Sequence, residues 1–362
     1  MQKSILTLIL FIITSKFLSA QTKDTTVYYY RYLLPHYEFA GSHRVSTLDS
    51  ADYYRVIIPP DSGQVMYSVR EFYKNGRPKF IATAQGNLGL KTNEFLLQEA
   101  VPFQGQSISY YYNGKRRLIS NYNNGRKEGM EYVYSPLGKL YCVKKYEYGY
   151  HNRMLLLECY DLEGNQIAKD GNGHWIAYDT EFKNVFLQGE VKNGLREGTW
   201  EGNTNDSDSI KFKMEYKKGK MVSGKSFDKS GREYTFEAIA RPPYYKNGTE
   251  LFMKRLSDRI VIPKDANGEK IRDTVSVSFI IEKDGHLTNF LVVGQPNPLL
   301  GAAALDAAKK SSSLEPRTYY GIPIRSQITI RLNLKKGYWD SPKMYEKILD
   351  IKFIPPDEEY IK

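Results

Sequence analysis

Short aromatic runs alternate with glycine turns through the middle of the chain, over residues 69–235. In one series of turns, Gly114 and Gly138 lie 24 residues apart. In a second series, Gly125 and Gly149 have the same separation. Asn-Gly and related pairs supply the positive φ that tight hairpin turns require, and the intervening Tyr, Val and Phe residues suit a pleated surface. The pattern predicts that each repeat adds one hairpin to a long antiparallel β-meander.

An amphipathic helix opens the last part of the chain. Apolar residues recur at the helical period from Phe252 to Ile260, which predicts one buried face. Asn247 with Glu250 predicts the N-terminal cap of this helix. Ile262-Pro263 predicts its end, because proline cannot continue a helix.

A hairpin and a second helix follow in the pattern. Residues 275–281 alternate apolar with polar or less buried positions, which is typical of a half-buried strand. Asp284-Gly285 predicts a tight turn, after which Leu287 to Val293 returns beside the first strand. Small residues between Leu300 and Ala308 predict a helix that lies close against the sheet.

The final predicted strand alternates over its whole length. One face carries Ile324, Ser326, Ile328, Ile330, Leu332 and Leu334. The other face carries Arg325, Gln327, Thr329, Arg331 and Asn333. Since successive side chains of a strand point to opposite faces, this strand is apolar inside and polar outside.

These patterns divide the chain into five predicted parts. They are a leader over residues 1–20, a strand-rich segment over 21–68, the hairpin repeats over 69–235, a small domain over 241–335 and a tail over 336–362. The fold class is mainly β, with an antiparallel meander followed by a small α+β domain of helix, hairpin, helix and strand. The 30 Tyr and 16 Phe residues agree with a strand-rich composition.

The leader sets the expected compartment. Lys3, an apolar run from Ile5 to Ile13, and the end Ser19-Ala20 are typical of a secretory signal peptide. An uncleaved anchor is the alternative, although the apolar run is short for a bilayer. We expect an exported protein of the periplasm or outer envelope. The net charge of +11 is spread through turns and not clustered, so we predict no nucleic-acid partner.

Both cysteines of the chain lie inside the repeats. If the turn after Gly149 is centred between Tyr150 and His151, then Cys142 faces Cys159 on the neighbouring strand. Cross-strand neighbours are close enough for a disulfide, and an exported protein meets oxidising conditions. The alternative is a pair of half-buried thiols, because one unpaired residue in the loop would break the facing.

Residues 219–226 match the nucleotide-binding pattern G-x-x-x-x-G-K-S. That loop needs a buried strand before it and a helix after it, and a charged repeat strand and another turn stand there instead. We therefore predict no nucleotide binding. Ser226 and Lys229 form an S-x-x-K pattern without its companion motifs, and the His residues are scattered. The prediction is a non-catalytic protein without cofactor or metal, with an envelope hydrolase as a remote alternative.

The repeats resemble a known family in two short pieces. They are Gly125-Arg126-Lys127-Glu128-Gly129 and Gly194-Leu195-Arg196-Glu197-Gly198-Thr199-Trp200. Both resemble MORN repeats in their bacterial variant. The resemblance implies a scaffold or binding sheet, and such proteins are sometimes named as antitoxins.

Several motifs after residue 241 carry a second resemblance. They are Ile262-Pro263, Val275 to Ile281, Lys283-Asp284-Gly285, the helix around Leu305, Leu314-Glu315-Pro316, Gly321-Ile322-Pro323-Ile324 and Ile328 to Leu334. In this order they resemble the C-terminal domain of TonB, the energy transducer of bacterial outer-membrane transport. The resemblance implies a module that binds an extended peptide by strand addition, as TonB does with an outer-membrane receptor.

Carried onto this chain, the resemblance predicts an exposed edge strand that accepts the peptide. The predicted partner-binding residues are Arg325, Gln327, Ile328, Thr329 and Arg331. The partner would be an envelope protein or peptide, such as a TonB-dependent receptor. Because exposed edges are usually covered, the alternatives are that residues 335–362 or a second copy of the chain cover this strand. A second hypothesis is a repeat-sheet scaffold or antitoxin-like binding protein whose C-terminal domain forms a homodimer.

Overall fold

The computed structural model describes residues 25–34, 37–86, 102–148, 153–179, 182–204, 210–245, 248–294, 296–311, 313–333 and 343–348. The predicted signal peptide, residues 1–20, lies outside these ranges. The chain divides into two compact units. The first holds residues 1–173 and 193–195, and the second holds residues 174–192 and 196–362.

The first unit is a run of antiparallel strands. They are β1 (Thr26–Leu34), β2 (Tyr37–Val45), β3 (Tyr53–Ile58), β4 (Met66–Tyr73), β5 (Pro78–Gln85), β6 (Phe103–Tyr110), β7 (Arg116–Asn123), β8 (Arg126–Lys127), β9 (Gly129–Tyr134), β10 (Leu140–Glu147), β11 (Arg153–Tyr160) and β12 (Gln166–Lys169). From β3 to β7 each strand pairs with the next one along the chain, and β7, β9, β10, β11 and β12 continue the series. The predicted meander is confirmed, while the MORN-like identity of its repeats stays a prediction.

The two predicted series of turns have different backbone chemistry. In the first series the turn glycine has φ between 81° and 100°, and its N–H donates to the carbonyl three residues earlier. These glycines are Gly76, Gly114, Gly138, Gly164 and Gly231. This is the three-residue loop closed by a glycine bulge. In the second series two successive residues have positive φ, as in Asn124-Gly125, Asn193-Gly194 and Lys218-Gly219. These are two-residue turns of the type I′ form.

Basic residues join neighbouring turns of the first series. Lys115, which follows Gly114, donates through Nζ to the carbonyl of Leu137 in the next turn at 2.7 Å. Arg77 donates in the same way to the carbonyl of Tyr112 at 3.0 Å. The positive charge that is spread along the sequence therefore serves, in part, to link one repeat to the next.

Buried charges lie on one face of the first unit. Glu71 accepts hydrogen bonds from Arg55 at 2.6 and 2.9 Å and from Lys79 at 3.0 Å. Burial alone would raise the pKa of Glu71, but Lys79 and Arg55 outweigh it and hold the pKa below its ordinary value. Lys79 also lies 4.2 Å above the ring of Tyr53. The carboxylate is thus held charged inside the sheet.

Cys142 and Cys159 are directly opposite each other on β10 and β11, as predicted. The register differs in detail near the turn, because Glu147 pairs with Arg153, whereas the predicted register pairs it with Met154. A β-bulge restores the facing, because the register shifts between Val143 and Lys144, where Leu157 is the extra residue of β11. Both side chains are buried, and the disulfide itself stays a prediction.

The second unit begins with further hairpins. Its strands are β13 (Asn172–Tyr178), β14 (Val185–Lys192), β15 (Leu195–Asn203), β16 (Lys211–Lys217), β17 (Lys220–Phe227) and β18 (Glu233–Phe236), of which β13 and β15 start in the first unit. Glycines on these strands lie beneath aromatic rings of the following strand. The pairs are Gly189 with Trp200, Gly202 with Phe212 and Gly224 with Phe236. Glycine is needed there, since a Cβ at Gly224 would lie 2.2 Å from the Phe236 ring.

The C-terminal part of the second unit has the predicted order of elements with short additions. Its elements are β19 (Ala240–Arg241), α1 (Thr249–Arg259), β20 (Thr274–Ile281), β21 (Leu287–Val293), α2 (Pro298–Lys309), β22 (Arg317–Tyr319), β23 (Ile322–Ile324), β24 (Ser326–Asn333) and β25 (Lys343–Ile348). The strands form a sheet of order β21-β20-β24-β25 and a smaller one of order β19-β22-β23. The mainly β chain with a small α+β domain is confirmed.

The helices pack on the sheet largely as their patterns predict. Phe252 and Leu256 of α1, and Leu300 and Ala304 of α2, are buried in one core with β20 and β24. The predicted cap of α1 is wrong, because Gly248 is the N-cap and makes no side-chain hydrogen bond. Asn247 lies outside the described residues. The helix also ends at Arg259, before the proline that was expected to stop it.

One hairpin turn joins this domain to the last repeats within the second unit. Tyr320, between β22 and β23, is buried and stacks on Phe212 with ring centroids 4.2 Å apart. Ser226 donates to the Tyr320 carbonyl at 2.6 Å, and the Tyr320 N–H donates to Ile239 at the same distance. These contacts lie within the second unit, and the predicted domain boundary at residues 235–241 stays a prediction.

We predict that Gly224→Ala destabilises the second unit by about 1–3 kcal/mol, because the new methyl group has no space beneath the Phe236 ring. Urea unfolding followed by tryptophan fluorescence measures the loss. Ser223→Ala, at the exposed neighbouring position, is the matched control and should change little. Equal effects of both substitutions would contradict the packing argument.

A second prediction concerns acid stability of the first unit. A carboxylate whose folded pKa is depressed stabilises the fold above its unfolded pKa, and this contribution is lost as the pH falls through the folded pKa. Glu71→Gln should therefore lower stability near pH 7 and reduce the further loss below about pH 4. Denaturant midpoints measured from pH 7 to pH 2 test this. Glu163→Gln, in an exposed turn, is the control, and an identical pH profile for both variants would refute the prediction.

Candidate partner-binding strand of the C-terminal sheet

β24 alternates between buried and outward-facing side chains, as predicted. Ser326, Ile328, Ile330 and Leu332 are fully buried. This alternation arises because the inner face packs against α1 and α2 in the apolar core. The predicted strand is interrupted, however, since Ile324 belongs to β23 and Arg325 lies between the two strands. Leu334 lies outside the described residues.

Both edges of β24 are paired. On one side β20 runs antiparallel to it from Ser326 opposite Ile281 to Asn333 opposite Thr274. On the other side β25, a six-residue strand from the tail, runs antiparallel from Ser326 to Arg331. The expectation of an exposed edge at residues 325–331 is therefore wrong for this structure. The alternative, in which the chain's own tail covers the strand, is the arrangement that the structure has.

Arg325 is tied to the β20–β21 hairpin. Its Nε donates to Oε2 of Glu282 at 2.8 Å, and the hydroxyl of Thr288 donates to the same carboxylate at 2.6 Å. The hydrogen bonds from Thr288 and then Arg325 hold the pKa of Glu282 below its ordinary value. Arg325 therefore positions the start of β24, and its charge is already compensated.

Gln327 and Thr329 are tied to the centre of β20. Ser278, which is fully buried, accepts from Gln327 Nε2 at 2.7 Å and lies 3.2 Å from the Thr329 hydroxyl. The Ser278 hydroxyl also donates to the carbonyl of Ile328 at 3.1 Å. One serine thus orients two outward side chains of β24 and one backbone group.

The remaining predicted residues differ sharply from each other. Ile328 has no exposed surface, so its side chain is part of the core and only its backbone is available to a neighbouring strand. Arg331 is exposed, and no ion pair joins it to another residue in the described part of the chain. Sequence reasoning missed Ser278 and Glu282. The alternating pattern of β20 places Ser278 on the outward face, and Glu282 directly follows the strand at the hairpin turn.

The nucleotide-like motif does not form a phosphate-binding loop. Residues 220–227 form β17, so no helix follows the motif to direct its N-terminus at a phosphate. Lys225 instead pairs with Glu233 at 2.9 Å on the exposed face. Ser226 is buried, and its hydroxyl donates to the carbonyl of Tyr320. It is therefore not presented as the nucleophile that an S-x-x-K motif requires. His174 and His286 pair with nearby carboxylates at exposed positions.

Comparison with known families bears on this sheet. A family model described as Gram-negative bacterial TonB protein C-terminal matches residues 259–335. This segment is TonB-like. The match begins at the end of α1, covers β20 to β24 and ends before β25. Domains of this family belong to envelope proteins of Gram-negative bacteria and mediate protein–protein interactions there.

None of the curated proteins matches the chain. Among the residues that the structure describes, no helix is both long and apolar enough to cross a bilayer. The family match therefore covers the C-terminal sheet up to β24 and leaves the repeats outside it.

We predict that Ser278→Ala destabilises the TonB-like domain by about 1 kcal/mol, because Gln327 and Thr329 lose a shared partner. The same variant should increase amide exchange along β24. Ser276→Ala, on the same face of the same strand, is the matched control. If both variants exchange alike, the hydrogen bonds to Ser278 do not organise β24.

Proposed function

We propose that this is a non-catalytic, exported envelope protein whose TonB-like domain binds an extended peptide of an outer-membrane partner by strand addition to β24. The observation that supports this proposal is the pairing of β24 with β25. Six successive residues of β24 already accept an antiparallel strand from a different part of the chain. A partner strand of the same length would use the same backbone groups.

The rigid setting of β24 also suits this role. Its inner face is fixed by the apolar core, Ser278 holds two of its outward side chains, and Glu282 holds Arg325 directly before it. A strand that is ordered before binding loses little conformational entropy when a peptide pairs with it. We propose a TonB-dependent receptor as the partner class, which would link the protein to transmembrane transport.

Amide spectra of the full chain with peptides test this function. Capped peptides from the N-terminal segments of outer-membrane receptors should shift signals of residues 326–333 and 343–348, because the peptide replaces β25. Signals of β21 at the other edge should not move. The control is each peptide with a central proline, which lacks the N–H needed for the ladder. If no peptide moves these signals, even at millimolar concentration, strand addition at β24 is excluded.

A second candidate function uses the first unit. Half-exposed apolar residues lie opposite one another on successive strands, from Ile81 to Ile108, Ile119 and Tyr132. The four residues are cross-strand partners and form a row perpendicular to the strands. A row of this kind is a suitable binding surface for a polymer or a protein. It supports the alternative of a repeat-sheet scaffold or antitoxin-like protein. Spectral changes confined to this row, with β24 unaffected, would favour that function.

A further inference from the structure

The strand β25 places a basic residue opposite a basic residue. In the register between the two strands, position 343, a lysine, lies opposite Arg331. Like charges directly opposite each other on an antiparallel pair are destabilising. By its register and residue types, the segment that covers β24 brings a second basic residue to Arg331, where an acidic residue would suit it better.

Arg331 differs from the other polar residues on the outer side of β24. Arg325 is compensated by Glu282, while Gln327 and Thr329 interact with Ser278. Arg331 is exposed, and within the described ranges it has no carboxylate partner. Opposite it on β20 stands Ser276, which is small and uncharged. Its charge is thus available to a strand that pairs on the β25 side.

We propose that Arg331 selects the strand that pairs with β24, and that it favours an extended peptide with a carboxylate at the position that residue 343 occupies in β25. The proposal rests on the proposed function for its partner, but the charge preference can be measured without any partner. An Asp or Glu at that position of the register would place an acidic residue opposite Arg331. β25 then acts as a weakly matched occupant that an acidic strand can replace.

The first test is a charge cycle in the full chain. Lys343→Glu should raise hydrogen-exchange protection of the β25 amides about two- to fivefold, the size expected for one cross-strand charge pair. Arg331→Glu with Lys343 retained should raise it as well, since the charges are again opposite. The double variant R331E/K343E should return it to the original level or below. Lys347→Glu is the matched control, because it makes the same charge change opposite the neutral Gln327.

Equal protection in Lys343→Glu and Lys347→Glu would overturn the proposal, because a general charge effect would then explain both. A protection in the double variant as high as in the single variants would overturn it too. Either result leaves strand addition itself untouched, since neither variant removes a backbone hydrogen bond.

The second test adds probes in trans. Two capped hexapeptides are compared at millimolar concentration, one with the sequence of residues 343–348 and one with Glu in place of its first Lys. The Glu peptide should shift amide signals of residues 326–333 at a concentration about two- to fivefold lower. Equal shifts by both peptides would overturn selection by Arg331 while supporting strand addition. If neither peptide shifts these signals, the proposed function fails, and the charge cycle still decides the role of Arg331.

Discussion

The pairing of backbone groups along antiparallel strands is the constraint on which the rest of this structure depends. A strand presents N–H and C=O groups on both sides, and each side must be paired or covered. The second unit meets this requirement with segments from later in the chain. The turn at Tyr320 packs on the last repeats, where the ring stacks on Phe212 and Ser226 holds its carbonyl. In the TonB-like sheet, β25 pairs along β24.

Much of this fold could be predicted because it depends on local rules. Positive φ at glycine fixes the turns, and strict alternation assigns the inner and outer faces of β24. Alternation identifies β24 but leaves its neighbour open, so pairing with the chain's own tail was one alternative beside a peptide and a second copy. The ring over Gly224 depends on the register of two strands. The facing of Cys142 and Cys159 was predicted from a register that is one residue off at Glu147, and a bulge farther along the strands restores it.

In the candidate site, local sequence rules likewise do not predict the contacts of individual side chains. Alternation separates Ile328 from its polar neighbours, but it does not distinguish Arg325 from Arg331, which share a face and a charge. The difference arises from the hairpin turn, which brings Glu282 to Arg325 and leaves Arg331 beside Ser276. A sequence pattern therefore identifies the strand, whereas the contacts of each residue decide which side chains remain available to a partner.

A partner strand must displace β25 from β24, and this competition determines how tightly the partner has to bind. β25 follows β24 after nine residues, and a strand on so short a connection acts at an effective concentration on the order of millimolar. A separate peptide at micromolar concentration is then disfavoured about a thousandfold, which corresponds to about 4 kcal/mol. One better charge pair at Arg331 contributes about 1 kcal/mol at most. An effective partner must therefore add contacts beyond the six paired residues, or be held near the protein in the envelope, and the charge of Arg331 then decides among strands that already meet this condition.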